Sequence, residues 1–201
     1  MEATRHLCRM AAAAAIGQRG RLAPAYKAAL RAGAPPAALQ EATLQVFLFA
    51  GFPRTIDAFE ELAAVLGDAS PAPPLEPRPP DSRARGEEVF RKVYGPHAEA
   101  VLAMLKALHP DFARSPLQNA YGAVLGRPFL PLATRELLAV AMLAALGTMP
   151  QLRAHVRGAL RAGCDAAAVR GALEAAEEAV GLLAEARAIV DRALAAPPPT
   201  G

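Results

Sequence analysis

Two cysteines, three lysines and no tryptophan are all that the 201 residues supply of those types. Cys8 and Cys164 cannot build a disulfide framework, and neither belongs to a Cys-x-x-Cys, so the sequence carries no signature of a metal site or a dithiol-redox site. Aromatic residues make up only 5%. The formal net charge is +3 and no block of Lys or Arg occurs, which removes the electrostatic argument for a nucleic-acid partner. Long hydrophobic runs are missing too. The longest, Leu137–Leu146, spans ten residues; it is too short to cross a bilayer and suits a buried core helix. Ala11–Ile16, preceded by Glu2, Arg5, His6 and Arg9, is short for the apolar part of a secretory leader, and no small-x-small cleavage site stands out from the Ala background. A cytoplasmic protein without nucleic-acid or membrane partners is expected.

What the chain does have is alanine: 50 residues, about a quarter of the total. Alanine is the best helix former and a poor strand former. The expectation is an all-α protein with small side chains where helices touch.

The clearest break in composition is Asp68–Arg83, with six prolines between Pro71 and Pro80. Proline lacks the N–H and fixes φ, so this stretch reads as a semi-extended linker. A second proline run, Pro197–Pro199, reads as a loose tail. The linker separates two halves that resemble each other. Displaced by 130 residues, Arg5–Gly51 falls on Arg135–Gly181 without a gap, with 16 identities over 47 positions. The informative matches are Arg5/Arg135, Leu7/Leu137, Gly17/Gly147, Leu22/Leu152 and the block ALRAG at Ala29–Gly33 and Ala159–Gly163. The predicted organisation is a first, shorter repeat over 1–67, a linker over 68–85, a second, fuller repeat over 86–195 and a disordered tail over 196–201.

In the second half a helix is predicted to start near Ala133 and to end at Gly147, a good C-terminal residue. Thr148-x-x-Gln151 has the form of a capping box with Pro150 in the tolerated first turn. The next helix ends at Gly163, Asp165 can cap a third over about 166–180, and a last one covers about 182–195. In the first half helices are predicted near 3–16, 21–32, 36–49 and 53–66. Between the halves, 86–108 reads as one or two helices and 115–125 as another.

Four residues stand out chemically. Glu136 opens a helix whose next ten residues are apolar, so its carboxylate is expected at the mouth of the core near a positive helix end; it is either a first-turn Glu favoured by the dipole or a working carboxylate. His155, between Leu152 and Val156, is expected at the edge of a buried stripe. It is either a satisfied, partly buried side chain or a catalyst. On two consecutive antiparallel helices the two can converge, and a carboxylate orienting an imidazole makes a group able to move protons near neutral pH. Arg127, in a loop before the Glu136 helix, is either a carboxylate clamp or a solvated side chain, and Arg135 lies nearby. In the first half His6 and Ala25 occupy the places of Glu136 and His155.

At these residues the sequence resembles the carboxymuconolactone decarboxylase family of the alkylhydroperoxidase D-like superfamily. Asn119–Glu136, NAYGAVLGRPFLPLATRE, resembles the family's aromatic-x-Gly, Arg-Pro-x-Leu and Thr-Arg segment. LLAVAMLAALG…LRAHVRGALRAG is similar to its next two helices, with the family histidine at His155, and FAGFP at Phe49–Pro53 is similar to its Tyr-Ala-Gly-x-Pro. The resemblance implies an all-α fold of tandem repeats with orthogonal and antiparallel helix packing. It implies a cofactor-free lyase, if the chain is active at all, decarboxylating or moving a proton on a small carboxylated lactone-type substrate. Glu136 and His155 would then be catalytic and Arg127 and Arg135 substrate-binding, with no metal. The superfamily's peroxidase branch carries Glu-x11-Cys-x2-Cys-x3-His; placed here it gives Glu136, Thr148, Gln151 and His155, and two non-thiols exclude dithiol peroxidase chemistry. The alternative is a non-catalytic helical scaffold or small-molecule-binding protein. The resemblance also implies self-association, a homotrimer in the first place; the alternatives are a dimer or a compact monomer in which the two halves bury each other's faces.

Overall fold

A computed structural model describes residues 1–67 and 82–196; most of the expected linker and the expected tail lie outside the described residues. The chain is all-α, and no strand occurs among the described residues. Among the described residues ten α-helices follow in order: α1 Glu2–Ala15, α2 Leu22–Arg31, α3 Pro36–Leu66, α4 Ser82–Tyr94, α5 Ala98–Leu108, α6 Pro110–Ser115, α7 Leu132–Leu146, α8 Met149–Arg161, α9 Ala166–Val180 and α10 Ala184–Ala195. A π-helical segment, Pro116–Leu125, continues α6.

The helices of the two halves recur 130 residues apart because the same residues stop them. Gly51 interrupts α3 with φ 74°, ψ −177°, and Gly181 separates α9 from α10 with φ 99°, ψ 176°. Only glycine adopts that region without strain. Gly17/Gly147 and Gly33/Gly163 repeat a positive φ in the same register. Asp165 caps α9 as its sequence position requires, accepting from the Ala168 N–H at 2.7 Å.

Several local expectations differ. Thr148 precedes α8 but does not close the capping box: its ψ of 73° is not the extended value that aims a side chain at the helix, and its hydroxyl donates back to the Leu143 carbonyl at 3.4 Å. Helix α4 begins at Ser82, inside the expected linker, and α10 begins at Ala184 rather than Leu182. The short α6 has no apolar period to announce it; it is started by Pro110 and by His109, whose Nδ1 accepts from the Asp111 N–H.

One apolar core joins both halves. Helix α7 is buried from Arg135 to Ala144 and is packed by α1, α3, α8 and α9. A helix apolar on every face must be covered on every face, and here the other half of the same chain does it. Leu138, Val140 and Met142 are completely buried, each worth about 1.5–3 kcal/mol by the usual transfer figure for larger side chains. Runs of Ala at α1 allow this approach: Ala11, Ala12 and Ala13 expose nothing. A second, smaller cluster forms where α4 meets the π-helical segment, around Phe90, Val93, Tyr121 and Leu125. The two backbones there nearly touch. A Cβ on Gly86 would lie 1.7 Å from the Leu117 carbonyl oxygen, and one on Gly122 1.9 Å from that of Ser82. This cluster covers the end of α7 that carries the polar residues.

Candidate functional site: two buried charged clusters

Helices α7 and α8 form an antiparallel pair turned by Gly147, and this brings Glu136 and His155 together. His155 Nδ1 lies 2.9 Å from Glu136 Oε2. Glu136 is fully buried and His155 is 6% exposed, deeper than the helix mouth and stripe edge expected from sequence. The reason is the α4 and π-helical layer, which the apolar periodicity of α7 and α8 does not report. Glu136 Oε1 is buried and accepts no hydrogen bond. Phe49, at the end of the first part of α3, meets the His155 ring edge-on at 5.8 Å.

Close approach of α8 depends on Gly158, where a Cβ would stand 2.4 Å from Glu136 Oε2 and 2.9 Å from Val93. Ala28 occupies the matching position in the first half, where no carboxylate has to be accommodated. Two phenols complete the surroundings. Tyr121 donates to Tyr94 at 3.2 Å. Burial pushes both above the ordinary phenol value, and the Glu136 charge adds to it. Both are therefore neutral hydrogen-bond donors at physiological pH.

The second cluster was not foreseen, because its centre is Glu41 of α3. Glu41 is 2% exposed. Arg127 Nε reaches both of its oxygens at 3.0 Å and Arg127 Nη2 reaches Oε1 at 2.8 Å. Arg135 Nη2 reaches Oε2 at 2.7 Å and also the Arg127 carbonyl at 3.3 Å. Gln45, one turn on from Glu41, donates to the Arg135 carbonyl at 2.7 Å. Burial works to raise the Glu41 pKa, but the hydrogen bonds and charges of Arg127 and Arg135 outweigh it and hold the carboxylate below its ordinary value. Arg127 and Arg135, singled out as carboxylate binders, thus hold a carboxylate of the chain itself. The available sequence signal was a Glu and a Gln, four residues apart, inside the largely apolar 36–49 stretch.

Arg127 also borders a groove of about 920 Å³ lined by Phe47, Phe52, Ile56, Phe59 and Phe112 among others. Burial pushes Cys8 up to about 12, with the nearby Cys164 adding to it. Cys164 is pushed up to about 11, by burial first and then by the charges of Glu136 and Asp165. Both are thiols, not thiolates, at neutral pH. No group of three His, Cys, Asp or Glu residues able to hold a metal ion occurs among the described residues, and none of the described helices is long and apolar enough to cross a membrane.

Parts of known proteins are similar to this chain. The chain is 34% identical over 131 residues to "Peroxisomal protein 2" of Schizosaccharomyces pombe, a match covering 62% of this chain and 60% of the relative. It is 38% identical over 80 residues to "4-carboxymuconolactone decarboxylase" of Acinetobacter baylyi, covering 39% of this chain and 60% of the relative. The matches therefore span about three-fifths of the length of these relatives. The carboxymuconolactone decarboxylase family model matches residues 2–64 and 110–191, well over half the chain, and takes in Glu41, Arg127, Arg135, Glu136 and His155. The chain belongs to the carboxymuconolactone decarboxylase family.

Proposed function

We propose that the chain is a cofactor-free enzyme that decarboxylates, or moves a proton on, a small carboxylated lactone-type substrate, with Glu136 and His155 as its catalytic pair. What supports it most is the 2.9 Å contact between a fully buried carboxylate and an imidazole, lodged where only Gly158 allows it. As CO₂ leaves, the electron pair of the broken C–C bond stays on the substrate carbon. His155 gives that carbon its proton, and Glu136 orients the ring. Arg127, on the groove, is the arginine suited to meet a substrate carboxylate by sharing its guanidinium with Glu41. Arg135, beneath it and fully buried, supports Glu41. Thr148 and Gln151 stand in the peroxidase frame and supply no thiol, so dithiol peroxide reduction is not part of the proposal.

The test follows release of labelled CO₂ from 4-carboxymuconolactone by the purified chain. A His155→Gln variant is expected to lose roughly 10²–10⁴ of the rate, the usual worth of a positioned acid or base. Turnover by His155→Gln at the unaltered rate sinks the assignment. A second reading, a small-molecule-binding protein without catalysis, is favoured by the fact that both arginines already hold Glu41, a carboxylate of the chain itself; measurable ligand binding with no turnover of any lactone decides for it.

The proposal extends to a cytoplasmic, self-associating protein, a homotrimer of three 20.9 kDa chains, about 63 kDa, or else a dimer. The support for self-association is the exposed apolar surface of Phe52, Ile56, Phe59, Leu108 and Phe112. Light scattering behind a sizing column tests it, and a concentration-independent mass of one chain overturns it.

A further inference from the structure

The Glu41 cluster has a counterpart in the other half, and there the carboxylate is missing. Exchanging the halves turns α7 against α3 into α1 against α9, and both pairs are packed. Thr4 and Arg5 stand for Thr134 and Arg135; Ala168 and Ala172 stand for Ala38 and Ala42. The position of Glu41 is taken by Gly171, and a Cβ built there meets nothing within 4 Å. In place of a buried glutamate side chain there is a pocket of about 400 Å³, with Thr4, Arg5, Cys8, Thr134, Leu137 and Gly171 in its wall.

We infer that this pocket binds a small aliphatic monocarboxylate, whose carboxylate stands on Arg5 as that of Glu41 stands on Arg135. Arg5 is kept, but it turns to Glu174 and Glu178 at the rim, all three side chains being 38–45% exposed. Exposed ion pairs of this kind are weak, so a ligand carboxylate can take the place of Glu174 at small cost. The wall formed by Cys8, Leu137 and Ala172 accepts an alkyl tail, and the volume falls within the range of small-molecule sites. Glu2 and Glu174 in the lining repel a second anionic group, which selects one carboxylate over two. Glu136 and His155 take no part, so this inference stands or falls apart from the proposed catalysis.

Titration calorimetry of the full chain with hexanoate, hexanamide and adipate tests it. Saturable binding of hexanoate is expected, at least tenfold tighter than that of hexanamide or adipate. Gly171→Glu supplies an internal carboxylate in open space and should abolish binding. Arg5→Gln, a half-exposed change that spares the core, should weaken it at least tenfold, and His155→Gln should leave it intact. Absence of saturable hexanoate binding, equal binding of the amide, or unchanged binding in Arg5→Gln overturns the inference. Circular dichroism confirms that each variant is folded, and Arg5→Gln decides alone if Gly171→Glu is not.

Discussion

Gly51 and Gly181 break their helices with the same backbone geometry, yet the helix before the break carries Leu44, Phe47 and Leu48 in the first half and Glu174, Glu177 and Glu178 in the second. The difference follows from what each helix faces. Leu48 packs on the small cluster under α4, and Leu44 and Phe47 line the large groove. Glu174 and Glu178 hold Arg5, and Glu177 holds Arg187 across the α9–α10 break. Turning points are shared because they are steric requirements of the backbone. Side chains diverge because each half meets different neighbours. The charged groups divide the same way: the second half keeps Glu136 and His155, while the first half supplies Glu41 to the second half's Arg135.

That contrast can be broken most severely at Glu41. Glu41→Ala leaves Arg135 buried without its carboxylate and should cost about 3–5 kcal/mol, the usual loss on removing one member of a buried pair, read from urea unfolding. A change below 1 kcal/mol would show that the pair does not tie the halves together. The pH dependence follows from the same residue. Its pKa is lower folded than unfolded, so its contribution is complete above the ordinary carboxylate range and is lost as pH falls through the folded value. Acid unfolding of Glu41→Gln should therefore be shallower below about pH 4 than that of the wild type, the unfolded glutamate value lying near there.

Next in size is a matched pair on α8 and α2. Gly158→Ala must push Glu136 aside and should cost about 1–3 kcal/mol as overpacking. The reverse change at the matching position, Ala28→Gly, should cost only about 0.5–1 kcal/mol through helix propensity. Equal effects in thermal unfolding would mean that Glu136 does not depend on the missing Cβ. The two helix breaks sharpen the comparison from the other side: Gly51→Ala and Gly181→Ala should each cost about 1–3 kcal/mol, because both force the same strained region on alanine. A marked inequality would show that the breaks are not equivalent.

The smallest effect is expected at the thiols. With Cys164 pushed to about 11, its alkylation by iodoacetamide at pH 8 should run roughly two orders of magnitude slower than that of a free cysteine, whose pKa is about 8.5. Organic hydroperoxide turnover should not exceed that of free thiol. Robust turnover abolished by Cys164→Ser would overturn this.

Composition and punctuation by themselves determined that the chain is helical, where most helices end, and that Gly17, Gly33 and Gly51 answer to Gly147, Gly163 and Gly181. These are local consequences: alanine favours one backbone well, and glycine and proline interrupt it. The spacing of Glu136 and His155 on successive antiparallel helices also made their meeting legible. Periodicity, however, says which face of a helix is apolar and not which helix covers it. A glutamate in the apolar stripe of α3 announces a buried partner without naming it. Only the packing of α3 against α7 decided that the partner is Arg135, 94 residues away, that Arg127 joins it, and that α1 covers the apolar helix. Only the layer of α4 and the π-helical segment decided that Glu136 and His155 are buried rather than at the edge. Contacts between residues so far apart in the chain are fixed by which surfaces exclude water together, a property of the assembled helices and of no single stretch of sequence.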